Sequence, residues 1–390
     1  MSRTDDFGVE LQRRRVAAGV SLRGLATLVH YAASHLSRVE NGLSHAGPDL
    51  ARLCDEALAA GGALAALVRD EPAPGPRPEA GAGEASFAAG GTIADDPASR
   101  HALRQTFRQL RATGRQTAPA LVIPVAKVQT RIVTDLAAQS HGPVRDELFE
   151  LAAHHAEFVG WMLQEDGDPA GALEWTTRAV QLNSPTGRSD MAAYALVRRA
   201  ELALYRNRPD RVIALAAQAQ EIAGINPRIG ALAAQREAAG HALLGNRARC
   251  EAALARSSER WAGRSPAGRH RNDLFGSSSV PDLHAMVAAW CEVDLGRPDA
   301  ATEKITAVLS TVPGDARRAR TLLRARLAVA QALRGDLDSA CAQADLLLAD
   351  ARVLDSATTR CQLRRLSRVL RRWPRNQRAA ETRTQINRLR

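Results

Sequence analysis

The sequence predicts an all-α protein: a bundle of five short helices over residues 1–70, a flexible linker over 71–99, and an α-solenoid over 100–390. Three observations carry that reading. Ala, Leu and Arg, which lead the helix-propensity order, dominate the composition, while aromatics make up only 4%. Val and Ile seldom fall into the alternating runs that mark half-buried strands. A turn of constant chemistry, Gly or Asn with Pro commonly two residues later, recurs from Gly167 to Gly335.

The first zone reads "FGVELQRRRVAAGVSLRGLATLVHYAASHLSRVENG". A first helix is expected from Val9 to Ala18, closed by Gly19. Ser21 caps a second helix through Val29 by accepting otherwise unpaired backbone N–H groups. His30 and Tyr31 make a tight turn, and a third helix runs from about Ala33 to Glu40. Asn41 and Gly42 stop it. Ala26 is small, as a close crossing of the second and third helices requires. Leu22, Leu25, Leu36 and Val39 supply core contacts. "PDLARLCDEALAAGGALAAL" then provides a fourth and a fifth helix, with Pro48 near the start of the fourth.

"HLSRVENG" followed by that segment resembles the lambda-repressor-like, XRE-type helix-turn-helix common in actinobacterial regulators, over residues 8 to about 68. The resemblance implies double-stranded DNA as a partner, with the third helix in the major groove. Carried over by position, Ala33, Ser34 and Arg38 face bases. His35, Ser37 and Asn41 lie near bases or phosphates, and Arg23 touches phosphate. Arg38 is the strongest candidate, because its planar fork matches the two acceptors of guanine. Arg15 and Glu40 occupy the positions of a family ion pair that ties the first helix to the third. The sequence departs from the family at three places. His30 stands where Gly is usual, and Gly24 where a Glu completes a capping box. Ala32 replaces the usual Ser or Thr cap, a loss of about 1 kcal/mol.

Residues 71–99 are rich in Pro, Ala and Gly and poor in large apolar groups, so they read as a linker without a packed core. Beyond it, Gly167, Asn207, Gly245, Gly296 and Gly335 hold one position in successive turns, at intervals of 40, 38, 51 and 39 residues. Pro169, Pro209 and Pro298 open the next helix. Ala172, Val212, Cys250, Ala301 and Ala340, five residues after each Gly or Asn, let paired helices approach closely. Such an array buries each pair against its neighbours. It resembles a tetratricopeptide repeat (TPR) array with long, irregular units and most signature positions unfilled. The long interval contains residues 263–282, read as an inserted loop.

Within the array, Tyr194, Arg198, Glu201 and Tyr205 form a mixed aromatic and charged stripe. Stacked hairpins make a concave face, and this stripe is the candidate for lining it with a peptide, small-molecule or protein ligand. Ordinary repeat packing explains the same pattern. Arg100, Arg104, Arg108, Arg111 and Arg115 form another stripe, read as a solvated face in preference to a phosphate contact. Trp161, Trp175 and Trp290 read as core.

Net charge is +11, but residues 1–70 are balanced and the segment 356–390 carries eleven Arg against the single acid Glu381. That tail is expected to cap the solenoid rather than bind an acidic partner. The five cysteines are scattered without a C-x-x-C, which argues against a disulfide framework or zinc site. No signal core or 18-residue apolar run occurs, so a cytoplasmic, nucleoid-associated protein is expected, with no membrane contact. His154-His155 lacks zinc-ligand spacing, and no phosphate loop or nucleophile elbow is present. The expectation is therefore no catalytic residue, no metal and no cofactor. The neutral N-terminal zone suggests weak monomer binding and hence a homodimer reading two half-sites. The function expected is sequence-specific transcriptional regulation by a ligand-sensing, dimerising array. The alternatives are a DNA-tethered docking scaffold and a constitutive repressor whose repeats only dimerise.

Overall fold

The computed structural model describes residues 3–29, 33–40, 46, 48–68, 94–262, 274–277 and 279–389, with backbone alone at 3–6, 23, 27, 33–35, 38, 48 and 49. Every regular element among the described residues is helical. The chain divides into two units, Met1–Ser86 and Phe87–Arg390.

The first unit contains α1 (Arg3–Ala17), α2 (Leu22–Leu28), α3 (Ala33–Glu40) and α4 (Pro48–Ala57). Helix α1 starts six residues before the expected Val9, because Phe7 lies one turn before Leu11 and both are buried. Ser21 caps α2, its Oγ accepting from the Gly24 N–H at 3.0 Å. The core combines Phe7 and Leu11 with Leu25, Val29, Leu36, Val39, Leu50 and Cys54. In place of a fifth α-helix there is a single 3-10 turn, Ala65–Leu67. Ala59, Gly61 and Gly62 hold positive φ, which no helix accommodates. The Asp55 carboxylate instead accepts the N–H groups of Gly62, Leu64 and Ala65 at 2.6, 2.6 and 3.0 Å. The expected turn at His30 and Tyr31, the Asn41–Gly42 stop and residues 71–93 of the linker lie outside the described residues.

The second unit opens with α5 (Pro97–Gly114), capped by Asp96, so residues 97–99 of the expected linker are helical. There follow α6 (Pro119–Gln139), α7 (Gly142–Asp166), α8 (Pro169–Asn183), α9 (Asp190–Tyr205) and α10 (Pro209–Glu221). Next come α11 (Pro227–Leu243), α12 (Arg247–Ala262), α13 (Leu283–Asp294), α14 (Pro298–Thr311), α15 (Arg317–Leu333) and α16 (Leu337–Leu354). The chain ends with α17 (Ala357–Leu370) and α18 (Gln377–Asn387). Successive helices pair as antiparallel hairpins, α7 with α8, α9 with α10, and so on to α17 with α18.

The repeated turns are the hairpin bends. Gly167, Asn207, Gly245, Gly296 and Gly335 all have positive φ, from 54° to 94°. Asn207 is the one L side chain among them, and Asn tolerates that region best. Pro169, Pro209 and Pro298 are the first residues of α8, α10 and α14. The small residues five positions on, Ala172, Val212, Cys250, Ala301 and Ala340, are all buried where the second helix of each hairpin meets the first.

The array also touches itself at long range. Helix α17 packs against α7. The Arg318 guanidinium, at the start of α15, reaches the carbonyls of Gly114 and Thr117 and the Glu165 carboxylate at 3.0, 2.5 and 2.9 Å. The Arg318 N–H also donates to the Arg115 carbonyl at 2.9 Å. Ser356 and Thr358 donate to Glu165 from the other side. Helices from both halves of the unit therefore meet on one buried carboxylate. The Arg-rich final hairpin is held by acids of the array: Arg365 by Asp294 at 2.6 Å and Arg378 by Asp338 and Asp345 at 3.8 and 3.6 Å.

Candidate functional site

Two places concentrate the candidate residues. In the first unit, α2 and α3 pack together, and α3 carries Ala33, Ser34, His35, Ser37 and Arg38. Leu36 and Val39 face the core, which fixes the rotation of α3 about its axis and hence which residues turn away. Ser37 is half-buried, and the side chains of Arg23, Ala33, Ser34, His35 and Arg38 lie outside the described set, as does Asn41.

Arg15 and Glu40 meet in a two-point ion pair, Nε to Oε1 at 2.6 Å and Nη2 to Oε2 at 2.8 Å. Arg15 also donates to the Val20 carbonyl at 3.0 Å, so the guanidinium joins α1, the α1–α2 turn and the end of α3. Hydrogen bonding to Glu40 raises the Arg15 pKa further. Gly8 allows the crossing: a Cβ there would sit 2.3 Å from the Val39 carbonyl oxygen. Nothing in the local sequence pattern marks Gly8, since its constraint comes from α3, thirty residues on.

The second place is a cavity of about 170 Å³ inside the array. Its wall takes residues from α7, α9, α11, α13, α15 and α17, the first helix of each hairpin, and from the end of α5. All four residues of the stripe Tyr194, Arg198, Glu201 and Tyr205 belong to it. Arg198 is buried between Glu157, with Nε 3.0 Å from Oε1, and Glu201, and it donates to the Gln164 side chain at 2.8 Å. Burial alone lowers an arginine's pKa, but Glu201 and Glu157 outweigh it and raise that of Arg198. Burial likewise pushes the Glu201 carboxyl up, and Arg198 and Arg236 bring it below its ordinary value. Burial raises the Glu157 carboxyl, with Arg198 opposing.

The Tyr194 hydroxyl accepts the Gly276 N–H at 2.9 Å, and its ring stands edge-on to Phe275 at 5.0 Å. Arg228 holds the same loop by the carbonyls of Phe275 and Ser277, at 2.6 and 3.0 Å. The end of the inserted segment is thus folded against the cavity, a role that no local sequence pattern marks. The arginine stripe on α5 is split. Arg100 and Arg104 pair with Glu147 on α7, Arg108 is exposed, and Arg111 and Arg115 line the cavity. The stripe is neither a uniform solvated face nor a free phosphate contact, because α5 turns two of its arginines inward. Trp290 lies in the core as expected and also lines the cavity, Trp161 packs against the core and joins the wall, and Trp175 packs between hairpins with Lys127 and Arg178 over its ring. His154 and His155 are buried, with the His155 ring 4.1 Å from Phe107. No described helix is long and apolar enough to cross a membrane.

Residues 6–68 match a family described as a helix-turn-helix domain. No curated protein matches the chain.

Proposed function

We propose that this chain, a helix-turn-helix domain followed by a long all-helical region of paired helices, is a sequence-specific transcriptional regulator of the XRE type. The observation that carries the proposal is the family match over residues 6–68, centred on an α2–α3 pair braced by Arg15 and Glu40. In this reading the N-terminal half of α3 enters the major groove, and Ala33, Ser34, His35, Ser37, Arg38 and Asn41 contact bases or phosphates, with Arg23 on the backbone. The array is a TPR-like sensor and dimerisation domain that binds a small-molecule or peptide signal in its cavity. The reading assigns no catalytic step, and it places the protein in the cytoplasm with the chromosome. The sensing half is supported by the cavity, on whose wall all four stripe residues lie. The dimerising half is supported by an apolar stripe on α6, where Leu121, Val125 and Val128 are 69%, 46% and 59% exposed at i, i+4 and i+7.

Genome-wide mapping of bound sites, followed by titration of a bound fragment, tests the proposal. Arg38→Ala is expected to cost about 1–3 kcal/mol of DNA affinity and to relax preference at one base position. Equal affinity for bound and random fragments at moderate salt, or an unchanged preference in the variant, overturns it.

A further inference from the structure

The charges on the cavity wall do not balance. Among the described lining residues there are five guanidiniums, of Arg111, Arg115, Arg198, Arg236 and Arg318, and three carboxylates, of Glu157, Glu165 and Glu201. The carboxylates are committed. Glu165 is held by Arg318, Ser356 and Thr358, and Glu157 and Glu201 by Arg198, with Arg236 also 3.8 Å from Glu201. Arg115 has no acid partner among the described residues, although its helix ends at the cavity.

The hydrogen-bond inventory leans the same way. Two buried wall atoms, Arg236 Nε and Trp290 Nε1, have no acceptor among the described residues, and both are N–H donors. No side-chain carboxylate or hydroxyl oxygen of the wall is buried and unpaired in that set. Arg326 adds to the positive field from behind, its guanidinium 3.9 Å from the centre of the Trp290 ring. Apolar and aromatic side chains, among them Phe158, Trp161, Leu232, Met286 and Leu322, share the rest of the wall with the hydroxyls of Ser277, Ser279 and Thr358. A surplus of donors and of positive charge beside apolar walls selects an acceptor-rich anion on an apolar body.

We propose that the cavity takes one small organic carboxylate, its charge seated against Arg115 and its apolar body against the Trp161 and Trp290 side of the wall. Arg115 is the guanidinium of that surplus without an acid partner among the described residues, and a single carboxylate matches it. A peptide fits worse, since it adds backbone N–H donors and an ammonium to a wall already rich in donors. The inference deepens the sensing reading and depends on it only for the biological use of the site.

Isothermal titration of the full chain tests it with three matched pairs: 1-naphthylacetate and its amide, indole-3-acetate and its amide, and decanoate and decanamide. Each pair keeps the body and removes the charge. At least one carboxylate is expected to bind with one site per chain and its amide about tenfold or more weaker. Arg115→Gln removes the preference for the charged member, and Arg115→Lys keeps most of it. The Arg115 side chain makes no hydrogen bond to another described residue, so both variants are expected to unfold at the wild-type temperature. Absence of any one-site carboxylate binding, amides that bind as tightly, or a preference that survives Arg115→Gln each overturns the proposal. Addition of the bound carboxylate to a protein–DNA titration separates the two readings. Unchanged DNA affinity leaves the anion site standing and removes the sensor, whereas a response only to uncharged compounds keeps the sensor and removes the anion site.

Discussion

The two units bury charge for different ends. In the helix-turn-helix unit, Glu40 pairs with Arg15 and Asp55 collects three backbone N–H groups, and each acid fixes a local crossing or turn at the edge of an apolar core. In the array, Glu165, Arg318 and Thr358 come from α7, α15 and α17, so a single network links parts of the chain about 200 residues apart, Arg318 reaching Gly114 across 204 positions. A stack of hairpins is stabilised by nearest-neighbour contacts and has no intrinsic reason to close. The buried network supplies the long-range contact, and the inner face it encloses is the cavity. Charge positions α3 in one unit and shapes a cavity in the other.

The largest expected effect breaks the array's half of that contrast. Glu165 and Arg318 are 4% and 5% exposed. Glu165→Ala leaves a buried guanidinium without its counter-charge, which costs about 3–5 kcal/mol. Replacing both, Glu165→Leu with Arg318→Met, restores most of that loss, because two desolvated charges disappear together. Urea unfolding followed by tryptophan emission reads both. A cost below about 1 kcal/mol for the single variant, within the range of an exposed pair, removes the closing role.

The head unit is sensitive to shape instead. A Cβ at Gly8 would meet the Val39 carbonyl at 2.3 Å, a backbone atom that no side-chain rotation can move aside. Gly8→Ala is expected to cost about 1–3 kcal/mol in the stability of this unit, the usual range for overpacking. DNA affinity falls with it as α1 is pushed off α3. Unfolding monitored on the isolated residues 1–86 against the same variant in the full chain shows whether the loss is confined there. An unchanged midpoint would mean that α1 does not lie as close to α3 as this crossing requires.

What could be read in the sequence follows from how local each determinant is. The hairpin bends were legible because left-handed Gly or Asn and a helix-opening Pro act within five residues of one another. The stripe Tyr194, Arg198, Glu201 and Tyr205 was legible as one helix face, but not as the wall of a cavity. Its partners Glu157, Arg111 and Trp290 come from other helices, and no spacing rule relates them. Arg100 to Arg115 misled for the same reason, since an i, i+4 stripe specifies a face and leaves open what the face meets. Gly8 and the Phe275 loop were silent because their constraints come from residues distant in sequence. The expected fifth helix failed where Asp55 gave the backbone a competing set of hydrogen bonds.

The smallest effect sharpens the contrast through pH. His155 is buried against Phe107, and burial lowers its pKa from 6.5 to about 3. The folded array therefore keeps it neutral at pH values where the unfolded chain has already bound a proton. Stability from this group is fully present above pH 6.5 and is lost as pH falls toward about 3. Between pH 6 and pH 5 the loss approaches about 1.4 kcal/mol per unit, the value of one proton taken up only on unfolding. His241, whose pKa burial also lowers against the pull of Glu237, adds in the same direction. His155→Leu is expected to flatten the slope of the urea midpoint against pH in the array transition, at some cost in packing at neutral pH. If the slope keeps its full steepness in that variant, acid sensitivity belongs to other groups, and the interior of the array tolerates a protonated imidazole as readily as its cavity holds guanidiniums.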